Sequence, residues 1–340
     1  MPVAGASVAA PPRMVPSRPL RALACCAAIL CSLAWTARAD ARFVLGIADQ
    51  SMNMLADPRF AALGIRDTRV VVPYDVASDA AQLARFAPIL DTAHARRIRV
   101  LVAFGPRAGA PRHLPAVREY RRAIRGFRAR FPWAHDLGAW NEANHALQPT
   151  ARHPERAARL YNALRAECRR CRVVAADVLD QAGFQRWIRR FRRVATRPRI
   201  WGLHNYVDVN RMRDVSIRRL RVATGGRGQV WLTETGGVVR FARSFGYDER
   251  RAARSTRHVL RIAARRKVRR VYLYQWSGAP LGARWDSGLV AADGRPRPAL
   301  NVVEAYLRLP LTPLPPIPRV PRFPRAPDDQ PDTGGVPAPD

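Results

Sequence analysis

A chain of 340 residues with 48% hydrophobic and 25% charged side chains can bury a substantial core, which excludes wholesale disorder. The net charge is +33, yet Lys267 is the single lysine among 59 basic residues, the one-sided arginine usage that codon bias produces, so charge alone names no partner. Outside the N-terminus no window of about 18 apolar residues occurs, which argues against a multi-span membrane protein.

The N-terminus opens with an apolar run over residues 22–35, preceded by Arg13, Arg18 and Arg21 and followed by the small-x-small site Ala37-Arg38-Ala39. This pattern predicts a secretory signal peptide over residues 1–39, cleavage after Ala39 and an extracellular destination. An uncleaved membrane anchor is the other reading, but the run is short for a full span. Three of the five cysteines lie in this segment and leave Cys168 and Cys171. In an exported chain this C-x-x-C predicts a tight local disulfide rather than redox catalysis, and no second pair completes a zinc site.

Next comes an alternating series over residues 40–308. Short β-branched runs begin at Phe43, Thr68, Arg99, Leu137, Arg172, Ile200, Gln229 and Arg270, spaced as one strand, one helix and two loops require. Between them run amphipathic stretches. Leu114, Val117, Tyr120, Ile124, Phe127 and Phe131 form one apolar stripe with arginine on the other face, and residues 79–97, 154–170, 183–194, 248–266 and 298–308 read similarly. Eight such units predict a single (β/α)8 TIM barrel, an α/β fold of about 250 residues. A doubly wound dinucleotide-binding sheet would want a glycine-rich turn after its first strand, where the chain has Ile47-Ala48-Asp49-Gln50. Residues 309–340 hold eleven prolines and predict a disordered tail or spacer.

In such a barrel the chemistry sits at the carboxyl ends of the strands. Glu142 ends strand 4 in Ala139-Trp140-Asn141-Glu142-Ala143-Asn144, and Glu234 ends strand 7 in Trp231-Leu232-Thr233-Glu234-Thr235. Half-buried carboxylates are costly unless paired, so two of them on strand ends are candidates for paired acid chemistry; helix capping or a salt bridge to arginine is the bland account of either alone. His204 and Tyr206 stand two apart at the end of strand 6 and share a face. Arg69 lies early in strand 2, and Trp276 closes strand 8.

Together these residues resemble the retaining β-glycosidases of clan A, which includes glycoside hydrolase families 5 and 39. The resemblance covers the whole barrel: an Asn-Glu pair after strand 4 (Asn141-Glu142), a Glu after strand 7 (Glu234), His and Tyr after strand 6 (His204, Tyr206), an Arg on strand 2 (Arg69) and a Trp after strand 8 (Trp276). Ala143 follows Glu142 where many members have proline. Strict alternation would also point Asn141 and Glu142 to opposite faces, so both enter one site only if strand 4 bulges or has already ended. The resemblance implies a retaining glycoside hydrolase that works by double displacement, and with the leader pattern over residues 1–39 the expectation is a secreted enzyme acting on β-linked polysaccharide. Glu142 would be acid/base, Glu234 nucleophile, and Asn141, His204, Tyr206 and Arg69 would hold substrate or nucleophile. Trp276, with Trp140 or Trp285 as further candidates, would stack on a sugar, although core packing is the other account of each and the preferred one for Trp140.

No cofactor or metal is implied: His94, His113, His135, His145, His153 and His258 show no metal-binding spacing. There is no serine nucleophile elbow, no P-loop and no aromatic-interleaved basic patch that would call for nucleic acid. Asp286 and Asp293, after strand 8, are read as subsite or turn residues. The alternative function is a catalytically inactive barrel that binds extracellular glycans or other polyanions. Sugar, linkage and oligomeric state are left open.

Overall fold

The computed structural model describes residues 43–308, so the expected signal peptide (1–39) and proline-rich tail (309–340) lie outside the described residues. Eight parallel strands close into a barrel in chain order: β1 (Val44–Ala48), β2 (Asp67–Pro73), β3 (Arg99–Gly105), β4 (Asp136–Gly138), β5 (Arg172–Leu179), β6 (Ile200–His204), β7 (Gln229–Thr235) and β9 (Arg270–Tyr274), the last pairing with β1. A two-stranded antiparallel ribbon, β8 (Arg240–Phe241) with β10 (Trp285–Asp286), stands apart from it.

The long helices follow the predicted stretches: α3 (Ala80–Ala95), α4 (Val117–Arg130), α5 (Pro154–Glu167), α6 (Phe184–Val194), α9 (Glu249–Arg265) and α10 (Pro298–Arg308). Asp79 and Asp248 begin two of them, each accepting a hydrogen bond from a backbone N–H of the first turn. On α4 the stripe Tyr120, Ala123, Ile124 and Phe127 is buried, with Phe127 edge-on to Phe104 of β3 at 5.0 Å. Each such side chain contributes about 1.5–3 kcal/mol of burial. The arginines of the outer faces form ion pairs between neighbouring helices, such as Arg121 with Glu167 and Arg190 with Glu155, which contribute little individually because they are exposed. Four short helices were not anticipated: α1 (Met52–Ala56) and α2 (Pro58–Ala62) after β1, and α7 (Tyr206–Asn210) and α8 (Val215–Ala223) after β6. Among the described residues no helix is long and apolar enough to cross a membrane.

The barrel interior holds Ala48, Leu101, Val174, Ile200, Trp231 and Tyr272. Its amino-terminal end is closed by a buried ion cluster in which Arg270 donates to Asp67 (3.0 Å), Asp136 (2.9 Å) and the Tyr272 hydroxyl (3.1 Å) and lies over the Trp231 ring. Arg270→Met leaves two buried carboxylates short of their cation. It is expected to cost about 3 kcal/mol, the low end for a broken buried pair because Arg172 still reaches Asp136. Denaturant unfolding measures this, and a loss below about 1 kcal/mol would contradict the cluster's role.

Candidate active site

Three irregularities at the carboxyl end of the barrel decide which side chains converge. First, β4 ends at Gly138, earlier than the predicted Leu137–Asn144 run. Beyond it the backbone crosses to both neighbours, with the Asn141 N–H donating to the Phe104 carbonyl (2.7 Å) and the Ala143 N–H to that of Asp177 (2.8 Å). Glu142 sits in the left-handed region at φ 45°, a conformation few non-glycine residues adopt. The strand has therefore ended, and alternation no longer separates Asn141 from Glu142.

Second, β7 carries one residue more than its neighbours. Gly202 and His204 of β6 lie opposite Trp231 and Glu234, while Leu232 and Thr235 lie opposite Val271 and Leu273 of β9. Such a bulge re-aims the following side chain, here Glu234. Third, β5 bulges between Val174 and Asp177 against β6, which turns Asp177 inward.

Arg69 joins the parts. Its guanidinium is wholly buried and donates to Glu234 Oε2 (2.8 Å), Asn141 Oδ1 (2.6 Å) and Asp177 Oδ2 (3.2 Å). Although Arg69 starts early in β2, its long side chain runs up the barrel to the site. Tyr206 Oη donates to the other Glu234 oxygen at 3.1 Å. His204 Nε2 faces Arg69 Nη2 at 3.4 Å, and since the two Nη2 hydrogens already serve Asn141 and Asp177, a proton on Nε2 would be pressed against that cation; the tautomer that fits carries it on Nδ1. That Nδ1 is 3.3 Å from Glu142 Oε1 and 3.9 Å from Glu234 Oε2. One oxygen from each glutamate and a ring nitrogen of His204 all lie within 4.8 Å of one another.

The electrostatics split the two acids. Burial, with the charges of Glu234 and Asp177, pushes Glu142 well above the usual carboxylate range. Burial also raises Glu234, but Arg69 and the Tyr206 hydroxyl oppose it. The pair therefore favours one proton, held on Glu142. Burial and then Arg69 push His204 well below its ordinary value, so the imidazole is neutral, while burial and Glu234 keep the Tyr206 phenol protonated as a donor. Glu142 Oε2 faces His145 Nδ1 at 3.9 Å, beyond hydrogen-bond reach, and is the oxygen free to carry the proton.

Sequence reasoning missed two members. Asp177 is fully buried, and the space it needs comes from Gly202: a Cβ there would stand 1.7 Å from Asp177 Oδ1 and 2.7 Å from Thr233 Oγ1. Gly202→Ala is expected to push Asp177 off Arg69 and cost about 1–3 kcal/mol or more, read by thermal unfolding. An unchanged midpoint would contradict this packing. Tyr274, the last residue of β9, is the second. It is buried among Tyr206, Trp231 and Tyr272; burial first, then Glu234, Asp49 and Glu142, raises its phenol well above the usual value.

Trp276 requires a correction. It is 1% exposed, donates from its indole to Asp57 (3.1 Å) and packs edge-on to Phe60 of α2, so no ring face is open to a sugar. The strand ends two residues earlier, and the chain beyond Tyr274 turns outward under the first helices. Trp140 is core, as preferred for it above, bonded to Gln148 and stacked near Tyr74. Trp285, on β10, is half-buried and edge-on to Tyr206 at 4.9 Å, one ring from Glu234. Asp286 is buried against Arg297 (2.7 Å), and Asp293 has the turn role, accepting from the Arg295 N–H.

Among the described residues, two groups have metal-ligand spacing. In one, Glu142, His204 and Glu234, a divalent ion would compete with the Arg69 guanidinium already bonded to Glu234, so the donor set suits a proton better than a cation. In the other, His135 with Cys168 and Cys171, the sulfurs are joined in a disulfide and offer no thiolates.

No family model and no curated protein matches the chain. Solved structures do. A psychrophilic glycoside hydrolase family 10 endo-β-1,4-xylanase aligns over 77% of this chain and 96% of its own at 14% identity, with a TM-score of 0.59. A GH39 β-xylosidase from Caulobacter crescentus aligns over 78% and 71% at 18% identity and 0.56, and a glucosidase from Croceicoccus marinus over 78% and 66% at 11% identity and 0.60. At these identities the likeness is one of fold: the chain shares its eight-stranded barrel with structures described as glycosidases.

Proposed function

We propose that the protein is a retaining glycoside hydrolase acting on a β-linked polysaccharide, with Glu142 as acid/base and Glu234 as nucleophile. The observation that carries this reading is the buried pair itself: two glutamates with oxygens within 4.8 Å, one pushed toward the protonated form and the other held by Arg69 and Tyr206. Facing oxygens this close give the two carboxyl groups the near approach that a retaining enzyme needs for one of them to attack while the other protonates the leaving oxygen. The glycosidases that share the fold, two of them named for xylan or xylosides, support the same class.

In the first step Glu142 Oε2 gives its proton to the departing glycosidic oxygen as Glu234 attacks the anomeric carbon, and a glycosyl-enzyme ester forms. Charge leaves Glu234 and arrives on Glu142, beside the Nδ1–H of His204. In the second step Glu142 takes a proton from water, which attacks the same carbon and releases Glu234 to Arg69 and Tyr206. Asn141, whose Oδ1 is fixed by Arg69, presents its amide N–H groups toward a sugar hydroxyl, and Trp285 offers a ring face on the Glu234 side. The leader pattern over residues 1–39 supports export.

The test is release of reducing ends from a panel of β-glucans, mannans, xylans and bacterial exopolysaccharides, with Glu142→Gln and Glu234→Gln as controls. The reading expects turnover by the wild type that both variants lose. A panel bound but never cleaved would favour the glycan-binding barrel.

A further inference from the structure

At the amino-terminal end of the barrel, away from the two glutamates, three soft donors meet where β4 and β5 begin. Asp136 of β4 pairs with Arg172 of β5, so the residues just before them, His135 and Cys171, stand side by side. The Arg172 N–H donates to the His135 carbonyl (2.8 Å), and Cys171 Sγ lies 3.8 Å from the carbonyl oxygen of Ala134 in the same segment. Asp136 points inward to Arg270, so alternation turns His135 outward, where it is exposed. Helix α5 brings the third donor. It ends at Glu167, the Cys168 N–H donates to the Leu164 carbonyl, and a turn closed from the Cys171 N–H to the Cys168 carbonyl (3.1 Å) leads into β5. Both sulfurs and one ring nitrogen of His135 lie within 4.8 Å of one another, with the sulfurs joined in a disulfide. A disulfide needs only the two cysteines; the imidazole beside them is what a metal site adds.

We infer that this corner is a redox-gated zinc site, with Cys168 Sγ, Cys171 Sγ and a His135 ring nitrogen as ligands and a fourth position left to water. Thiolate and imidazole are donors that zinc prefers, and two thiolates neutralise the ion. A tetrahedral zinc keeps such donors roughly 3.5–4 Å apart, so the cluster needs only small side-chain rotations once the sulfurs part. The free carbonyls at the end of α5 also favour a cation there. An external dithiol opens the bond by exchange: it leaves as its own cyclic disulfide and passes its two protons to Cys168 and Cys171, and zinc then displaces both protons as it binds. Either state ties the end of α5 to the start of β5, but only the reduced one takes metal. The inference is independent of the hydrolase reading.

The full chain carrying Cys25→Ser, Cys26→Ser and Cys31→Ser confines thiol chemistry to this corner. It is reduced with a phosphine, desalted without oxygen and titrated with zinc against a chromophoric chelator, beside its oxidised form. The reduced chain should take one zinc with a Kd at least about tenfold below that of any site on the oxidised chain. Zinc should raise the melting temperature of the reduced form alone. His135→Ala, at an exposed position, should leave the disulfide and the oxidised melting temperature unchanged but weaken zinc binding at least about tenfold, while Cys171→Ser abolishes it. Cobalt(II) in place of zinc should show sulfur-to-metal charge-transfer absorption and the visible bands of a tetrahedral ion. Equal affinity in the two redox forms would put the ion elsewhere, and unchanged affinity in reduced His135→Ala would leave only a bare dithiol. Either result overturns the inference, as would a reduced chain that binds no zinc or a disulfide that resists the phosphine in the folded protein.

Discussion

Glu234→Gly is expected to lower turnover by about 10⁴-fold or more, because the covalent route disappears with the attacking carboxylate. Added azide should restore part of it. A small anion entering the space left by the carboxylate attacks the anomeric carbon from the same face, and no second displacement follows, so the glycosyl azide has inverted configuration. Glu142→Gly should respond differently. With an activated leaving group the glycosyl-enzyme still forms, azide replaces water in the second step, and the product keeps its configuration. The two products assign the two roles independently of any loss of rate, since a merely structural defect would yield neither.

The pH behaviour follows from the same division of charge. The productive state has Glu142 protonated and Glu234 ionised, so kcat/KM should be bell-shaped, falling at low pH as Glu234 gains a proton and at high pH as Glu142 loses one. Because Glu142 is pushed well above its usual range, the alkaline limb belongs above ordinary carboxylate titrations. Tyr206→Phe removes a hydrogen bond that holds Glu234 down, so the acid limb should move to higher pH and kcat/KM should fall about ten- to hundredfold, as for a bond to a charged group. A lower rate with an unmoved acid limb would contradict this role for the phenol.

Stability should carry the matching signature. A carboxyl whose folded pKa is raised keeps a proton that the unfolded chain releases above about pH 4.3, so its contribution is complete below that value and is lost as pH rises toward the folded pKa. Glu142→Gln removes this slope. The variant should therefore unfold at higher temperature than the wild type at about pH 8, with the gap narrowing toward about pH 5. The wild type would then be giving up stability to keep an acid in that place.

The barrel was legible because β-branched runs and arginine-backed apolar stripes recur at the spacing a βα unit needs. Glu142, Glu234, His204 and Tyr206 stood out as polar residues at strand ends, and the structure gathers them with Asn141 and Arg69. What escaped was whatever depended on broken alternation. Asp177 belongs to the site only because β5 bulges after Val174, and a bulge leaves no mark in a period-two pattern. The run that closes on Trp276 extends two residues past the end of the strand at Tyr274, and those two residues separate a ring in the site from one beneath α2. The ribbon was invisible for a simpler reason: its strands are two residues each, and cross-strand pairing, not local sequence, makes them.

The central claim is a covalent double displacement at Glu234. The measurement that tests it most directly is mass spectrometry of the protein after incubation with a 2-deoxy-2-fluoro glycoside of whichever sugar the panel identifies, since slow hydrolysis of the intermediate lets it accumulate. The account predicts one glycosyl adduct, on the peptide containing Glu234, absent in Glu234→Gln. An adduct elsewhere, or turnover of the natural glycan with no adduct and an inverted first-formed anomer, would contradict it.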